Sequence, residues 1–224
     1  MVKTQDEDEK LASRKSIAVK PSKTVPKPAA RAVLGRAEWL AAARKLLIAD
    51  GIDGVKVDRL AKMLNVTRGG FYWRFADLKD LLDELIEDWR TTNGPLMVAP
   101  LKAPGSPMDQ FRALAHLWID EADYNPSYDS AVRAWARIDK SVASIVQDID
   151  QYRIDALKDW FLSAGYAPED AVVRAQIVYY HQVGFYALDL KVSKAERYRR
   201  LEKYVDALTG LENLGATAAR RKSG

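Results

Sequence analysis

Apolar side chains recur at intervals of three and four residues from Leu40 to Leu208, which is the spacing that gathers them on one face of an α-helix. No segment alternates strictly between apolar and polar residues, as a half-buried β-strand would. The chain also shows no internal repeat. The pattern therefore predicts an all-α protein of about nine helices.

Helix boundaries are indicated by capping residues, prolines and glycines. A stripe through Leu40, Ala43 and Leu47 stops at Gly51, a residue type that commonly ends helices. Asp77 is suited to cap a longer helix, which we expect to end at residues 93–95, Asn-Gly-Pro. Further helices are predicted to begin at Ser106, Asn125, Pro168 and Ser193, the last with a capping box and a body from Tyr198 to Leu208.

Residues 57–75 predict two short helices joined by a tight turn. Leu60, Ala61 and Leu64 share one face of the first helix, and the small Ala61 permits a close helix crossing. Asn65 stands where the chain must reverse, and Asn tolerates a left-handed backbone better than most residues. Thr67 is then predicted to cap the second helix with its hydroxyl.

The second of these helices is unusual for a helix that only packs against others. Gly69 and Gly70 are adjacent, although each glycine costs about 1 kcal/mol inside a helix relative to alanine. Such a cost is expected where something approaches the backbone closely. Phe71 and Phe75 are predicted to belong to the core. Arg68, Tyr72, Trp73 and Arg74 surround the glycines, and this set favours the major groove of DNA as the neighbour.

Residues 36–89 resemble the DNA-binding domain of the TetR (tetracycline repressor) family of bacterial transcription regulators. The resemblance is carried by residues 54–57, by the turn from Leu60 to Gly69, and by Phe71-Tyr72, Phe75 and Lys79. It implies a three-helix helix-turn-helix domain, followed by a larger helical domain that dimerises and binds a ligand. Val57 stands where the family often has Thr, and Asn65 where it usually has Gly.

The predicted DNA contacts follow from the geometry of a recognition helix, whose amino-terminal residues meet base edges. Thr67 and Arg68 occupy that end, and Arg68 is suited to bidentate reading of guanine. Gly69 and Gly70 let the backbone approach the groove. Tyr72 resembles the family's phosphate-contacting tyrosine. Trp73 occupies a position that, in the family, often contacts a phosphate or a base. Lys79 lies at the start of a helix, where the helix dipole also favours a phosphate.

Composition narrows the function classes further. The 224 residues carry a net charge of +4, but residues 36–80 hold nine Lys or Arg against six Asp or Glu, whereas residues 81–219 hold fifteen against twenty-one. Positive charge near the predicted reading helix suits a polyanion, although ordinary mixed surfaces show similar differences. There is no cysteine, no apolar run of the roughly 20 residues that span a bilayer, and no signal peptide. We expect a cytoplasmic protein without cofactor or metal.

Four segments are predicted. Residues 1–34 form a disordered basic and Pro-rich tail, either a basic arm that contacts DNA or simply a solvated tail. Residues 35–80 form the DNA-binding domain, and residues 81–213 the ligand-binding and dimerisation domain. Residues 214–224 form a basic tail.

The carboxy-terminal helices carry more apolar surface than one partner face can cover. A second copy of the chain would complete a four-helix bundle, as the resemblance also implies, although burial within one chain is the alternative. The resemblance further implies a small-molecule effector. The residues predicted to contact it are His116, Trp118, Trp135, Arg137, Tyr180 and His181. Any one of them taken singly is more often a core or surface residue than a ligand contact. Arg137 with Arg133 either binds an anion or pairs with Asp120, Glu121 or Asp155.

The leading hypothesis is a homodimeric repressor that binds double-stranded DNA at a pseudo-palindromic operator and leaves it when the effector binds. The alternative is a nucleoid-associated or structural DNA-binding protein whose carboxy-terminal domain binds a protein. An enzyme is not expected, because no nucleophile elbow, phosphate-binding glycine loop or His-rich metal motif is present. The carboxylates Asp148, Asp150 and Asp155 are interpreted as a solvated helix face.

Overall fold

A computed structural model describes residues 34–210 of the chain. Over this range the all-α prediction is confirmed, with ten α-helices, two 3-10 turns (Ile52–Gly54 and Ala99–Lys102) and no strand. The helices are α1 (Arg36–Asp50), α2 (Val57–Met63), α3 (Arg68–Tyr72), α4 (Leu78–Leu96), α5 (Pro107–Asp120), α6 (Pro126–Ala136), α7 (Lys140–Ser163), α8 (Pro168–Ala187), α9 (Lys194–Arg199) and α10 (Leu201–Thr209).

The tenth helix arises because the last predicted helix is divided. At Arg200 the backbone angle ψ is −2°, which interrupts the helix. Helix α9 ends before this residue and α10 begins after it. Ser193 caps α9 by accepting from the Glu196 amide at 3.2 Å. The Glu196 carboxylate forms an ion pair with Arg200 at 2.7 Å, within the turn where the two helices meet.

Two apolar cores run through the described residues. The first joins α1–α4 to α6 and α7, so the amino-terminal helices pack directly on the body of the protein; its largest side chains are Trp39, Phe71, Phe75, Trp89, Tyr128 and Trp135. The second joins α5, α7, α8 and α10 around Phe111, Trp118, Trp160, Phe161 and Tyr179. The predicted domain boundary at residue 80 falls in the first turn of α4.

Helix α4 ends at Leu96, one residue beyond the end predicted at residues 93–95, and therefore includes Pro95. A proline removes only its own N–H and disturbs one carbonyl of the preceding turn, so a helix about to end tolerates it. The carbonyls left unpaired at this end are partly satisfied from outside. Arg153, fully buried on α7, donates to the carbonyl oxygens of Asn93 and Gly94 at 3.1 Å each.

A buried ionic network surrounds Arg153. Its guanidinium reaches the Asp129 carboxylate at 3.0 Å, and Arg133 bridges Asp129 at 2.8 Å to Asp150 at 2.6 Å. Burial alone would raise the pKa of Asp129, but the two guanidinium groups outweigh it and hold that pKa below its ordinary value. The interpretation of Asp150 as a solvated residue is therefore wrong, because its carboxylate also accepts from the Tyr179 hydroxyl at 2.5 Å.

The predicted tails at residues 1–34 and 214–224 lie outside the described residues, apart from Leu34. Within residues 34–210, no helix combines the length and apolarity needed to cross a membrane.

Candidate functional site

The turn between α2 and α3 has the predicted backbone. Asn65 adopts a left-handed conformation, with φ 53°, and the amide of Val66 closes the turn by donating to the Ala61 carbonyl at 2.9 Å. Leu60 and Ala61 are buried, which seats α2 on the core. Because both ends of the turn are fixed in this way, the residues of the turn set the direction in which α3 leaves α2.

Thr67 occupies the N-cap position of α3, as predicted, but its hydroxyl makes no capping hydrogen bond. The prediction of a capping hydroxyl is therefore wrong. The residue is exposed at the amino-terminal end of the helix. A hydroxyl at this end can serve an external partner, since nothing in the helix uses it.

The two faces of α3 differ sharply. Phe71 and Phe75 are buried as predicted, with ring centroids 5.2 Å apart, and Trp39 packs edge-on against Phe71 at 5.4 Å. On the other side, Tyr72 is 54% exposed and Trp73 is 85% exposed. The Tyr72 ring still packs edge-on against Phe71, with ring centroids 5.3 Å apart, whereas Trp73 stands almost entirely in water. Large aromatic side chains this exposed are typical of a surface that binds a partner.

Packing within the chain does not explain the glycine pair. A Cβ atom at Gly69 would meet only the Thr67 Oγ1 atom, at 3.7 Å, and one at Gly70 would make ordinary contacts with Trp39 and Val66 at 3.8 Å or more. Neither residue has a backbone conformation that requires glycine. The absence of a side chain at Gly69, on the exposed side, is thus useful only to something outside the chain.

Two of the residues predicted to contact DNA are cations, and each has a carboxylate partner. Arg68 lies 3.0 Å from Asp58 of α2, with both side chains largely exposed. Lys79 is in the first turn of α4 as predicted, where Asp77 accepts from the Asp80 amide at 2.9 Å. The Lys79 ammonium donates to Asp83 at 2.5 Å, and this hydrogen bond raises its pKa. Exposed pairs of this kind are weak enough for a phosphate or base to displace the carboxylate.

Sequence reasoning missed the residue that positions this surface, Arg36. Its guanidinium binds Asp80 at 2.9 Å and Glu84 at 2.8 Å, and lies 4.1 Å from the centroid of the Phe75 ring. It also donates to the carbonyl of Arg74, just beyond α3. Arg36 thus connects the start of α1 to α4 and to the end of α3. The sequence signal that could have identified this contact is the pair Asp80 and Glu84, which are four residues apart and so lie on one face of α4.

Three of the six predicted ligand contacts meet in one cavity of about 460 Å³ between α5, α8, α9 and α10. Trp118, Tyr180 and His181 line it. The other three lie elsewhere. His116 contacts Tyr198 at 5.3 Å between ring centroids, and Trp135 is buried in the first core.

Arg137, the last of the six, lines a second cavity of about 770 Å³ between α1, α6 and α8. Its neighbour Arg133 pairs with Asp129 and Asp150 rather than with the three acidic residues considered from sequence. Among residues 34–210, no group of three or more His, Asp or Glu side chains could hold a metal ion.

Helix α8 exposes a stripe opposite its buried face. We call this the α8 stripe; every side chain in it is more than half exposed, and its members are Val173, Ile177, Tyr180 and Leu188, with Gly184 between the last two. These residues follow the three- and four-residue spacing of one helix face, and none of them is charged. A Cβ atom at Gly184 would meet nothing within 4 Å.

Comparison with known proteins supports the amino-terminal assignment. Residues 40–85 match the model of the family described as bacterial regulatory proteins, tetR family. The HTH-type transcriptional regulator AcrR of Shigella flexneri is 32% identical over 80 residues, which are 35% of this chain and 37% of that protein. The alignment thus spans little more than a third of this relative.

Solved structures share the fold over most of the chain. A transcriptional regulator from Rhodococcus sp. Rha1 matches with a TM-score of 0.63 and 18% identity, covering 81% of this chain and 97% of that one. A TetR-family regulator from Streptomyces coelicolor matches with 0.61 and 20%, covering 79% and 87%. AibR, solved with isovaleryl coenzyme A and operator DNA, matches with 0.59 and 15%, covering 78% and 97%. At these identities the likeness is one of fold.

Proposed function

Through the domain that contains residues 40–85, the chain belongs to the tetR family of bacterial regulatory proteins, and we propose that it is a homodimeric repressor released from its operator by a small molecule. DNA binding and transcription regulation come with the family. The dimer, the operator and the effector are the parts proposed here. The cytoplasm, where bacterial DNA lies, is the proposed site of action.

The observation that carries the proposal is the exposed face of α3. Arg68 stands at its amino-terminal end, Gly69 leaves the backbone bare, and Tyr72 and Trp73 project into solvent. A helix that enters the major groove needs a base-reading residue at its amino-terminal end and no bulk where the backbone approaches the bases. Lys79, in the first turn of α4, supplies a further cation for a phosphate.

Dimerisation is supported by the α8 stripe. Its side chains are apolar, contiguous and uncharged, and no element of the described chain covers them. A helix face related to itself by a two-fold axis buries such a stripe against an identical one. We propose that α8 and α10 of two copies form a four-helix bundle, as the sequence predicted for the carboxy-terminal helices.

A dimer of this kind presents two α3 helices to one face of DNA. Successive major grooves are about 34–36 Å apart, so the proposed target is a pseudo-palindrome of roughly 15–20 base pairs. A protein bound there excludes RNA polymerase when the site overlaps a promoter. Repression therefore follows from occupancy alone.

The effector is supported by the cavity between α5, α8, α9 and α10. Its volume of about 460 Å³ lies within the range of about 300–1,000 Å³ that is usual for small-molecule sites. It adjoins α8, so a bound molecule can change how two copies meet and hence the spacing of their α3 helices. This cavity favours an effector over the alternative, a structural DNA-binding protein whose body binds another protein.

Selection of bound sequences from a random pool of duplex DNA, at physiological salt, tests the proposal. We expect a single pseudo-palindrome to be enriched, with half-sites one helical turn or slightly more apart. Enrichment of unrelated sequences, together with a steep dependence of affinity on salt concentration, would instead identify the structural DNA-binding protein.

A further inference from the structure

The cavity between α5, α8, α9 and α10 is apolar at its inner end. Phe111, Trp118 and Val205, which line it, are each at least 95% buried and belong to the second core. Trp118 is held in place because its indole N–H donates to the Met97 carbonyl at 3.1 Å. Because the fold fixes these walls, the space is a preformed site for an apolar group.

The charged residues that line this cavity are cations. They are Arg197 and Arg200, and no Asp or Glu is among the described residues that line it. His181 also lines the cavity, and burial lowers the pKa of its imidazole, which keeps it uncharged at pH 7. Apolar walls with cations and without a carboxylate favour a negatively charged ligand over a positively charged one.

Arg197 does not supply a free charge, because it is paired within the chain. It donates to the Glu121 carboxylate at 2.9 Å and to the Trp118 carbonyl at 2.6 Å, and its guanidinium lies 4.5 Å from the centroid of the Phe185 ring. Its side chain is only 12% exposed. Arg197 is therefore a fixed part of the wall, and Glu121 compensates its charge.

Arg200 differs from Arg197, because it shares its carboxylate with another arginine. Glu196 binds Arg200 at 2.7 Å and also pairs with Arg199, which is not a lining residue. These three residues together carry a net charge of +1. The Arg200 side chain is 56% exposed, and an exposed ion pair of this kind is weak. Arg199 can therefore keep Glu196 while Arg200 turns to another anion.

The two ends of the cavity thus suit different parts of one molecule. The inner end removes apolar groups from water, which is favourable. At the mouth, the half-exposed Arg200 can bind an anion that keeps part of its hydration, so the cost of burying a charge is avoided. A guanidinium matches a carboxylate particularly well, because its parallel N–H groups can donate to both oxygens.

We infer that this cavity binds an amphipathic monoanion, with its apolar body inside and its carboxylate at Arg200. The inference rests on the proposed function, because it names the chemical class of the proposed effector. A single negative charge is favoured because the net charge at the mouth is +1. No covalent step and no metal are required.

Two molecules with the same apolar chain and different head groups test the charge. Decanoate carries a carboxylate, and 1-decanol an uncharged hydroxyl; each is titrated against N-phenyl-1-naphthylamine bound to the full-length protein without DNA. An apolar site without a usable cation binds the alcohol more tightly, since a carboxylate costs more to bury. We expect decanoate to bind about three- to tenfold more tightly. Tighter or equal binding of 1-decanol, or binding of neither, would overturn the inference.

Two substitutions at the mouth should act in opposite directions. Arg200→Gln removes the cation and should weaken decanoate binding about three- to tenfold, whereas Glu196→Gln removes the competing carboxylate and should strengthen it about twofold. Neither should change the affinity for 1-decanol. Lys203→Gln is the matched control, because Lys203 of α10 is exposed and does not line the cavity. Equal effects of Arg200→Gln and Lys203→Gln on decanoate would remove Arg200 from the site.

A filling substitution tests the location. Ala115 of α5 lines the cavity, whereas Ala113 of the same helix is exposed and does not. Ala115→Trp should abolish binding of decanoate, and Ala113→Trp should leave it unchanged. Both variants should retain the helical circular dichroism of the unchanged protein. Decanoate binding that survives Ala115→Trp in a folded protein would show that the site is elsewhere.

The second copy provides another way for the inference to fail. The mouth of the cavity adjoins the α8 stripe, since Tyr180, Gly184 and Leu188 belong to both. If the unchanged dimer binds neither molecule but Ile177→Glu, which is designed to separate the copies, binds decanoate, then side chains of the partner fill the cavity. All these titrations use protein without DNA. The DNA selection experiment can therefore fail while the cavity binds decanoate, and the reverse result is equally distinguishable.

Discussion

The proposed recognition surface, which comprises the exposed face of α3 (Thr67, Arg68, Gly69, Tyr72 and Trp73) and Lys79 of α4, resembles the α8 stripe in construction and differs from it in charge. Each exposes large side chains around a helical glycine, Gly69 or Gly184, that the chain's own packing does not require. Arg68 precedes Gly69, and Lys79 follows in the first turn of α4, whereas the α8 stripe contains no charged residue. A helical glycine among exposed large side chains thus indicates that a partner approaches closely, and the charge around the glycine indicates the kind of partner.

This difference in charge suits the two proposed partners, a polyanion at α3 and a second copy of the chain at α8. Opposite charge attracts DNA from a distance and weakens with salt, whereas an apolar stripe attracts only a surface of the same kind. The two surfaces should therefore respond in opposite ways to salt and to added charge. Five substitutions test whether they do.

Ile177→Glu should have the largest effect, because Ile177 lies at the middle of the α8 stripe. Two carboxylates facing each other across the two-fold axis would have to lose water without a partner. We expect monomers by sedimentation, and an affinity for the full operator lower by about 100-fold or more, since the benefit of joining two reading domains is lost.

Val172→Glu is the matched control for that variant. Val172 is also exposed on α8 but lies outside the stripe, so this variant should stay dimeric and bind the operator normally. If the two variants sediment alike, the α8 stripe is not the dimer interface.

Arg68→Ala should come next. Loss of a bidentate contact to a base costs about 1–3 kcal/mol per half-site and relaxes the preference at one base pair. Arg68→Lys is the control, because it keeps the charge and loses the fork of two parallel hydrogen bonds. Selection from random DNA should show relaxed preference in both variants. An unaltered base preference in Arg68→Ala would mean that the recognition helix is docked in another register.

Gly69→Ala should change the stability of the fold and the affinity for DNA in opposite directions. A methyl group there has room within the chain, so the free energy of unfolding should rise by up to about 1 kcal/mol. Operator affinity should fall on the order of tenfold, because the methyl group stands between the backbone and the groove. Gly70→Ala, whose methyl group points toward Trp39 and Val66, should stabilise the fold similarly and bind DNA nearly as before. Normal binding by both would leave the glycine pair unexplained.

Gly184→Ala is the counterpart on α8. It should also raise the free energy of unfolding by about 1 kcal/mol per chain, since a Cβ atom there meets nothing in the monomer. Self-association should weaken by a few-fold if the two helices cross closely at this point, which dilution in analytical ultracentrifugation would measure. Unchanged self-association would place the crossing elsewhere along the α8 stripe.

Local signals predicted much of the fold. Gly51, Ser106 and Asn125 begin or end helices as their residue types suggest, because capping depends on neighbours within four residues. The contacts at the end of α4 were not predicted, because Arg153, which donates to the carbonyls of Asn93 and Gly94, is about 60 residues away in sequence. The division at Arg200 was missed because both halves carry the same apolar pattern.

The candidate sites divide in the same way. Which residues of α3 are exposed was predictable because they lie within one short segment, where helical spacing alone separates Phe71 from Tyr72. The lining of the cavity was predicted only in part, since three of the six residues predicted to contact a ligand line it. Its residues come from four helices, and a single sequence does not say that Gln182 faces Trp118 or that Asp150 meets Arg133. Such pairings are set by tertiary packing, which leaves no local pattern.

Lys79→Ala should have the smallest effect and the simplest signature. Removing one phosphate contact should weaken every DNA sequence alike and reduce the slope of log affinity against log salt by about 1 per monomer. Lys158→Ala is the matched control, because Lys158 is paired with Asp155 as Lys79 is with Asp83 but lies on α7 in the body. A salt slope that changes equally in both variants, or in neither, would remove Lys79 from the recognition surface. Arg68 would then be the remaining cation on which the difference in charge between α3 and the α8 stripe rests.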